Sequence, residues 1–253
     1  MTAGPDVDEA AAFDRHFAGL DDPPEDGFRM HFLDVGGGQS VVVESGDDVL
    51  LYDGGPVETS GKLLGPHGGE EVRRALDALG IDRVDHLVVS HLDTVHFAQL
   101  TGVVDDLGGE GVGALYLPAP CEHGVRNNEC VNGVLQAVGG ADVPTTYVDE
   151  GHRIPVGRLD VEALNPAPDA KRGHDDENSV ALHLADHPTD RSALLTGDIY
   201  NDTEVLAERR LAGRYTDRLA ALDVLDVPKH GSATPDGHVV GATDDGDGGA
   251  ALD

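Results

Sequence analysis

Apolar residues along this chain fall in short runs, separated by stretches rich in Gly, Pro and Asp. Three strand-like runs open the pattern at 28–33, 40–44 and 49–52, with Gly-rich turns between them, as in a β-meander. The spacing of Val72, Leu76 and Leu79 predicts a helix over 70–79, and Gly80 stops it. A buried strand is expected at 84–89, a helix at 97–107 and a further strand at 113–117. Two more strands are expected at 145–148 and 159–164. Runs at 178–184 and 192–195 read as paired strands across a turn rich in His, Pro and Asp. A helix over 202–211 and a strand over 224–227 complete the pattern.

Each half of the chain thus runs from strands to helices. That order fits a four-layer αββα sandwich, in which strands covered on both faces are almost wholly apolar. Val49-Leu50-Leu51, Leu87-Val88-Val89 and Ala193-Leu194-Leu195 meet that requirement. The expected domain spans 28–232. Before it lies an acidic leader, 1–27, with a short helix at 10–17. After it lies a Gly/Asp-rich stretch, 233–253, expected to be disordered. The leader has no apolar core of the signal-peptide kind, and no run of about 18 apolar residues exists, so neither a signal peptide nor a membrane span is expected. A cytoplasmic location is the expectation that follows.

Composition changes the picture through charge. Asp and Glu number 48 against 17 Lys and Arg, for a formal net charge of -31, and the lysines are Lys62, Lys171 and Lys229 alone. The acid is spread along the chain, which favours adaptation to molar salt over a nucleic-acid mimic. At that ionic strength the Debye length is only ~3 Å and self-repulsion is screened. Aromatic content is 4% and Trp is absent, so Val, Leu, Ala and Ile must fill the core. The cysteines are Cys121 and Cys130; their spacing is not that of a zinc ribbon, and a loop disulfide or two free thiols both stand open.

Candidate chemistry concentrates after the strand at 84–89, in Ser90-His91-Leu92-Asp93-Thr94-Val95-His96. A loop at a strand end aims side chains inward while the sheet holds them still. His91, Asp93 and His96 are nitrogen and oxygen donors suited to zinc or a similar divalent ion. Asp198 follows another strand, in Thr196-Gly197-Asp198. His230 follows the last, in Pro228-Lys229-His230-Gly231-Ser232. Other readings remain open. His91 and His96 also suit a loop–helix junction, Asp198 a helix N-cap, Asp53 a turn cap at Gly54-Gly55, and His230 a hydrogen bond to the turn at Gly231. His183 and His187 read as strand or surface histidines.

Five ordered motifs between 28 and 232 carry a family resemblance. They are Phe32-Leu33-Asp34-Val35-Gly36-Gly37-Gly38-Gln39-Ser40, Leu51-Tyr52-Asp53-Gly54-Gly55 and the 90–96 segment. Asn178-Ser179-Val180 with Leu194-Leu195-Thr196-Gly197-Asp198, and the stretch 223–232, complete the set. The chain resembles the metallo-β-lactamase superfamily, in the branch of the hydrolase domain of ComEC-type competence proteins. The resemblance implies His91 and Asp93 as ligands of a first metal, His96 of a second, Asp198 as a bridging carboxylate and His230 as the closing ligand. It implies Asp53 as an acid that steadies the site, with Asp198 and Asp53 the groups of catalytic interest. It also implies one or two zinc ions, or manganese, and hydrolysis of a phosphodiester or other ester by metal-activated water.

The departures are as specific as the matches. Val95 stands where the family has an Asp that binds the second metal, Lys229 where it has a His, and Gly37 and Gln39 where it has Gln and Asp. They imply one firm metal or a weak second. Lys229 in place of a metal near Asp198 would account for two of these changes together. Three functional readings follow: a metal-dependent hydrolase with altered chemistry, an inactive relative that binds a ligand or partner, and a structural acidic partner protein. No basic, aromatic-laced surface for DNA is visible.

Overall fold

The computed structural model describes residues 27–35, 38–56, 58–59, 62–63, 70–118, 129–168, 176–199 and 207–228. Residues 1–26, Cys121, Lys229, His230 and the stretch 233–253 lie outside these, and so do the expectations placed on them.

Two sheets face each other. The first has six strands in the order β1 (Arg29–Phe32), β2 (Val41–Ser45), β3 (Asp48–Tyr52), β6 (Val84–Val88), β7 (Val112–Pro118) and β8 (Thr145–Val148). β1, β2 and β3 pair antiparallel, whereas β3, β6, β7 and β8 run parallel. Between β3 and β6 lie a small ribbon, β4 (Glu58–Thr59) with β5 (Lys62–Leu63), and helix α1 (Glu70–Ala78). The second sheet runs β13 (Val224–Leu225), β12 (Arg191–Leu195), β11 (Ala181–Asp186), β10 (Leu159–Asn165), β9 (Arg153–Val156). Four further helices flank the sheets: α2 (Thr94–Phe97), α3 (Leu100–Gly111), α4 (Glu129–Gly140) and α5 (Ala207–Arg214), the last followed by a short α6 (Thr216–Leu219).

Alternation along the strands builds three apolar interfaces between four layers of helices and sheets. Val41, Val43, Leu50, Tyr52 and Val88 meet Ile154, Val161, Leu182, Leu184 and Leu195 between the sheets. Residues of opposite parity, Val42, Leu51, Leu87 and Leu115, pack on Val72, Leu76, Leu100, Val103 and Val138 of the helices. On the far side Leu164, Ala181 and Leu194 pack on Leu211, with Tyr215 and Leu219 against them. These layers are α, β, β and α, as the strand pattern predicts.

Among the elements that differ from the sequence reading, two bear on the site. The helix expected at 97–107 starts at Leu100, in α3, which kinks at Gly108 (φ +67°), while Phe97 closes the separate α2. Gln99, between the two, is buried and its side chain is spent on tertiary bonds: Nε2 donates to the Pro56 carbonyl (2.6 Å) and Oε1 accepts from the Val72 amide (3.2 Å). The strand expected from 178 begins at Ala181, because Asp176–Asn178 form a single 3₁₀ turn. The Val180 amide donates to the Ser90 carbonyl (2.8 Å), so this segment crosses to the other sheet before it pairs with its own. Strand β9, which contains Pro155, was not among the expected elements. Proline is tolerated there because β9 is the edge of its sheet.

Candidate metal centre

The strand ends of both sheets converge on Ser90. Its amide donates to Asp53 Oδ1 (2.7 Å) and its carbonyl accepts from Val180. Asp53 follows β3, Ser90 and His91 follow β6, His96 lies on α2, and Asp198 follows β12. All five are buried, Asp53, Ser90, His91 and His96 fully so. Glycine makes the approach close enough at two points. Gly197 has φ +56°, and a Cβ there would lie 2.8 Å from Ser90 Cβ and 3.0 Å from Ser179 Cβ. At Gly38 a Cβ would lie 2.2 Å from the Val95 carbonyl oxygen, so the 38–40 loop rests directly on the backbone of α2.

The imidazoles of His91 and His96 sit 4.1 Å apart, centroid to centroid. His96 Nδ1 is held by Asp53 Oδ2 (2.8 Å), which directs Nε2 at Asp198 Oδ1 (3.2 Å). His91 Nδ1 lies 2.9 Å from Ser90 Oγ, and its Nε2 faces Asp198 Oδ2 (3.9 Å) and Asp176 Oδ1 (3.7 Å). Asp198 is positioned through its backbone, whose amide donates to Ser179 Oγ (3.1 Å). An imidazole oriented by a carboxylate behind it is the usual support for a metal-binding histidine.

Electrostatics point the same way. Burial pushes the His96 imidazole down, but the carboxylates of Asp53 and Asp198 outweigh it and lift it to about 10. Burial raises Asp53 against the pull of His96 and Ser90. The pocket therefore stabilises positive charge. Tyr52 is pushed up by its own burial and by the surrounding carboxylates, and stays a neutral donor to the Val180 carbonyl (2.6 Å).

Two groups of side chains bring one donor atom each within 4.8 Å of one another: His91 with His96 and Asp198, and His91 with Asp93 and Asp176. Nitrogen and carboxylate donors at such separations fit a divalent cation. Of the residues singled out by sequence, His91, Asp93, His96, Asp198 and Asp53 come together here. Val95 is half-buried on α2 and brings no carboxylate. Asp176 was missed. The signal was present, since it stands two residues before Asn178-Ser179, but a strand assigned from 178 gave no reason to look at the turn ahead of it.

A half-buried carboxyl lies close by. Asp226 accepts from Gln39 Nε2, a bond that joins the loop after β1 to the chain after β13 and so clasps the two sheets. Burial lifts Asp226 to about 6, against hydrogen bonds from Gln39 and the Thr196 amide. A carboxyl raised in the native state binds its proton there more tightly than in the unfolded chain. Its contribution to stability therefore falls as pH rises from about 4 to about 6, and is flat above. Asp226→Asn is expected to match the wild type at pH 4 and to exceed it by about 1–2 kcal/mol at pH 8, after discounting for partial exposure. Paired denaturant melts at the two pH values check this; equal differences at both would refute it.

The two sheets and the helices that flank them form a four-layer αββα sandwich, with the His/Asp cluster at the strand ends. No family model matches the sequence, and a search of curated proteins finds no match. Among solved structures the chain is similar to CmlA, a diiron β-hydroxylase from Streptomyces venezuelae. That match has 19% identity and a TM-score of 0.45 over 76% of this chain and 33% of that one. It is also similar to the metallo-β-lactamase fold protein YhfI from Bacillus subtilis, at 14% identity and TM-score 0.45 over 70% and 66% of the two chains. A third is MEM-A1, a subclass B3 metallo-β-lactamase isolated from a soil metagenome library, at 14% identity and TM-score 0.43 over 83% and 81%. The chain spans about a third of the length of the CmlA structure. No helix among the described residues is long and apolar enough to cross a membrane.

Proposed function

We propose that residues 28–232 form a metal-dependent hydrolase domain of ComEC-like type, acting on a phosphodiester or other ester. The observation that carries this reading is the convergence of His91, His96 and Asp198 in a buried pocket, with Asp53 turning His96 Nε2 inward. A bound divalent ion supplies a Lewis acid and an activated water. The chain supplies everything else. Asp53 fixes the His96 ring through Nδ1, Ser90 Oγ contacts His91 Nδ1, and Ser179 anchors the Asp198 backbone. The burial of these groups limits solvent, which strengthens each charge interaction.

Metal content per chain is the test, on protein purified in high salt without an affinity tag. At least one zinc or manganese ion per chain is expected, lost in His91→Ala, with turnover of a generic phosphodiester by the loaded wild type. No bound ion even after reconstitution would overturn the reading.

Val95 favours a second reading, an inactive relative that binds a ligand or partner, because valine neither binds a metal nor orients a water. The two separate in Val95→Asp. If the protein is a hydrolase lacking one ligand, the variant gains occupancy of a second ion and turnover by about tenfold or more. Unchanged metal content and no turnover in either protein would favour the binding role.

A further inference from the structure

We propose that Asp176 is a metal ligand, and that with Asp93 and His91 it makes an oxygen-rich position suited to Mn²⁺. This rests on the metal-centre reading above and adds to it a residue and a preference. Asp176 Oδ1 lies 3.7 Å from His91 Nε2. Donors that share one ion at bonds of about 2.1 Å stand about 3–4.2 Å apart, so this spacing suits two ligands of one cation. The side chain of Asp176 is 20% exposed, and Asp93 is half-buried beside it.

The backbone that carries Asp176 is fixed by the same contacts that build the rest of the centre. The Ser179 amide closes the 3₁₀ turn on the Asp176 carbonyl (2.9 Å), and the Val180 amide is bonded to Ser90, next to His91. Ser179 Oγ then accepts from the Asp198 amide. One short segment thereby places a carboxylate, the histidine-bearing loop and the Thr196-Gly197-Asp198 turn in a single frame.

The two donor groups share His91 Nε2, and one nitrogen lone pair serves one ion. An ion on His91 therefore has Asp93 and Asp176 beside it, with Asp198 Oδ2 at 3.9 Å, which makes one nitrogen against three carboxylates. His96 and Asp198 Oδ1 remain for a second ion. Zinc gains most from nitrogen and sulfur donors, while carboxylate-rich sites suit manganese. The position at His91 thus narrows the usual advantage of zinc over manganese.

The experiment compares wild type, Asp176→Ala, Asp176→Asn, Asp176→His and His91→Ala by elemental analysis and by Mn²⁺ titration followed by electron paramagnetic resonance. Thermal melts confirm that each variant is folded. Wild type is expected to hold Mn²⁺, and Asp176→Ala to bind it about 10–100-fold more weakly, with Asp176→Asn between them. Asp176→His should move the Zn²⁺:Mn²⁺ affinity ratio at least about tenfold toward zinc. An Asp176→Ala variant with wild-type Mn²⁺ affinity, while His91→Ala loses its ion, would overturn this proposal and leave the metal centre intact. A wild type that takes up no ion would overturn both.

Discussion

Asp53→Ala is expected to destabilise the protein by about 3–5 kcal/mol, the cost of leaving one member of a buried charge pair without its partner. Asp53 is fully buried and accepts from both Ser90 N and His96 Nδ1, so its loss strands an amide and an imidazole at once. Asp198 Oδ1, 3.2 Å from His96 Nε2, still compensates part of the imidazole's charge in the variant, which places the effect toward the lower end of that range. Asp53→Asn separates support of the fold from support of the metal. Its amide oxygen still accepts from Ser90, while its NH₂ cannot accept from His96. Most of the stability should return, but metal affinity should stay about 10–100-fold below wild type. Denaturant melts read the first effect and calorimetric metal titration the second. Wild-type affinity in Asp53→Asn would show that Asp53 merely caps the turn at Gly54-Gly55.

Gly197→Ala is expected to cost about 2–5 kcal/mol and to weaken the metal binding proposed for Asp198. Left-handed backbone at φ +56° costs a non-glycine residue about 1–2 kcal/mol, and an added methyl 2.8 Å from Ser90 Cβ and 3.0 Å from Ser179 Cβ must push one of them aside, at about 1–3 kcal/mol more. Either displacement moves a group that positions the centre: Ser90 flanks His91, and Ser179 holds the Asp198 amide. Gly46 is a suitable control. It has φ +60° with nothing within 4 Å of its Cβ position, so Gly46→Ala carries the backbone strain alone. Equal melts for the two variants would mean that crowding at Gly197 contributes nothing.

The fold was legible wherever periodicity and tertiary demand coincide. β2 and β11 are buried along their whole length and were marked by Val41–Val43 and by Ala181, Leu182 and Leu184, and α1 carries Val72, Ala75 and Leu76 on one face. Legibility failed where a polar side chain serves a distant backbone. Gln99 keeps helical backbone angles at the N-cap of α3, yet its side chain is committed to Pro56 and Val72, which periodicity does not reveal. α4 was invisible because Gly133, Gly139 and Gly140 weaken its propensity, and its support is tertiary. At the site, His91, Asp93, His96 and Asp198 could be found because they follow strands directly. Asp176 was overlooked because it precedes its strand, on a 3₁₀ turn that tertiary hydrogen bonds such as that from Val180 to Ser90 bring to the site.

That bond has a kinetic consequence. Ser90 and its neighbours belong to the first sheet, and Asp176, Ser179 and Asp198 come from the second half of the chain. Neither half contains a complete centre, so the donors meet only after the long loop between them has closed and the sheets have docked. The centre is therefore expected to be completed late, after the transition state has buried most of the apolar surface. A bound ion should then leave the refolding rate almost unchanged and slow unfolding by nearly the full factor of its stabilisation. Stopped-flow folding with and without Mn²⁺ would show a chevron in which only the unfolding limb moves. In the cell such an ion would act as a latch on a finished molecule, setting how long the folded chain survives and not how fast it is made.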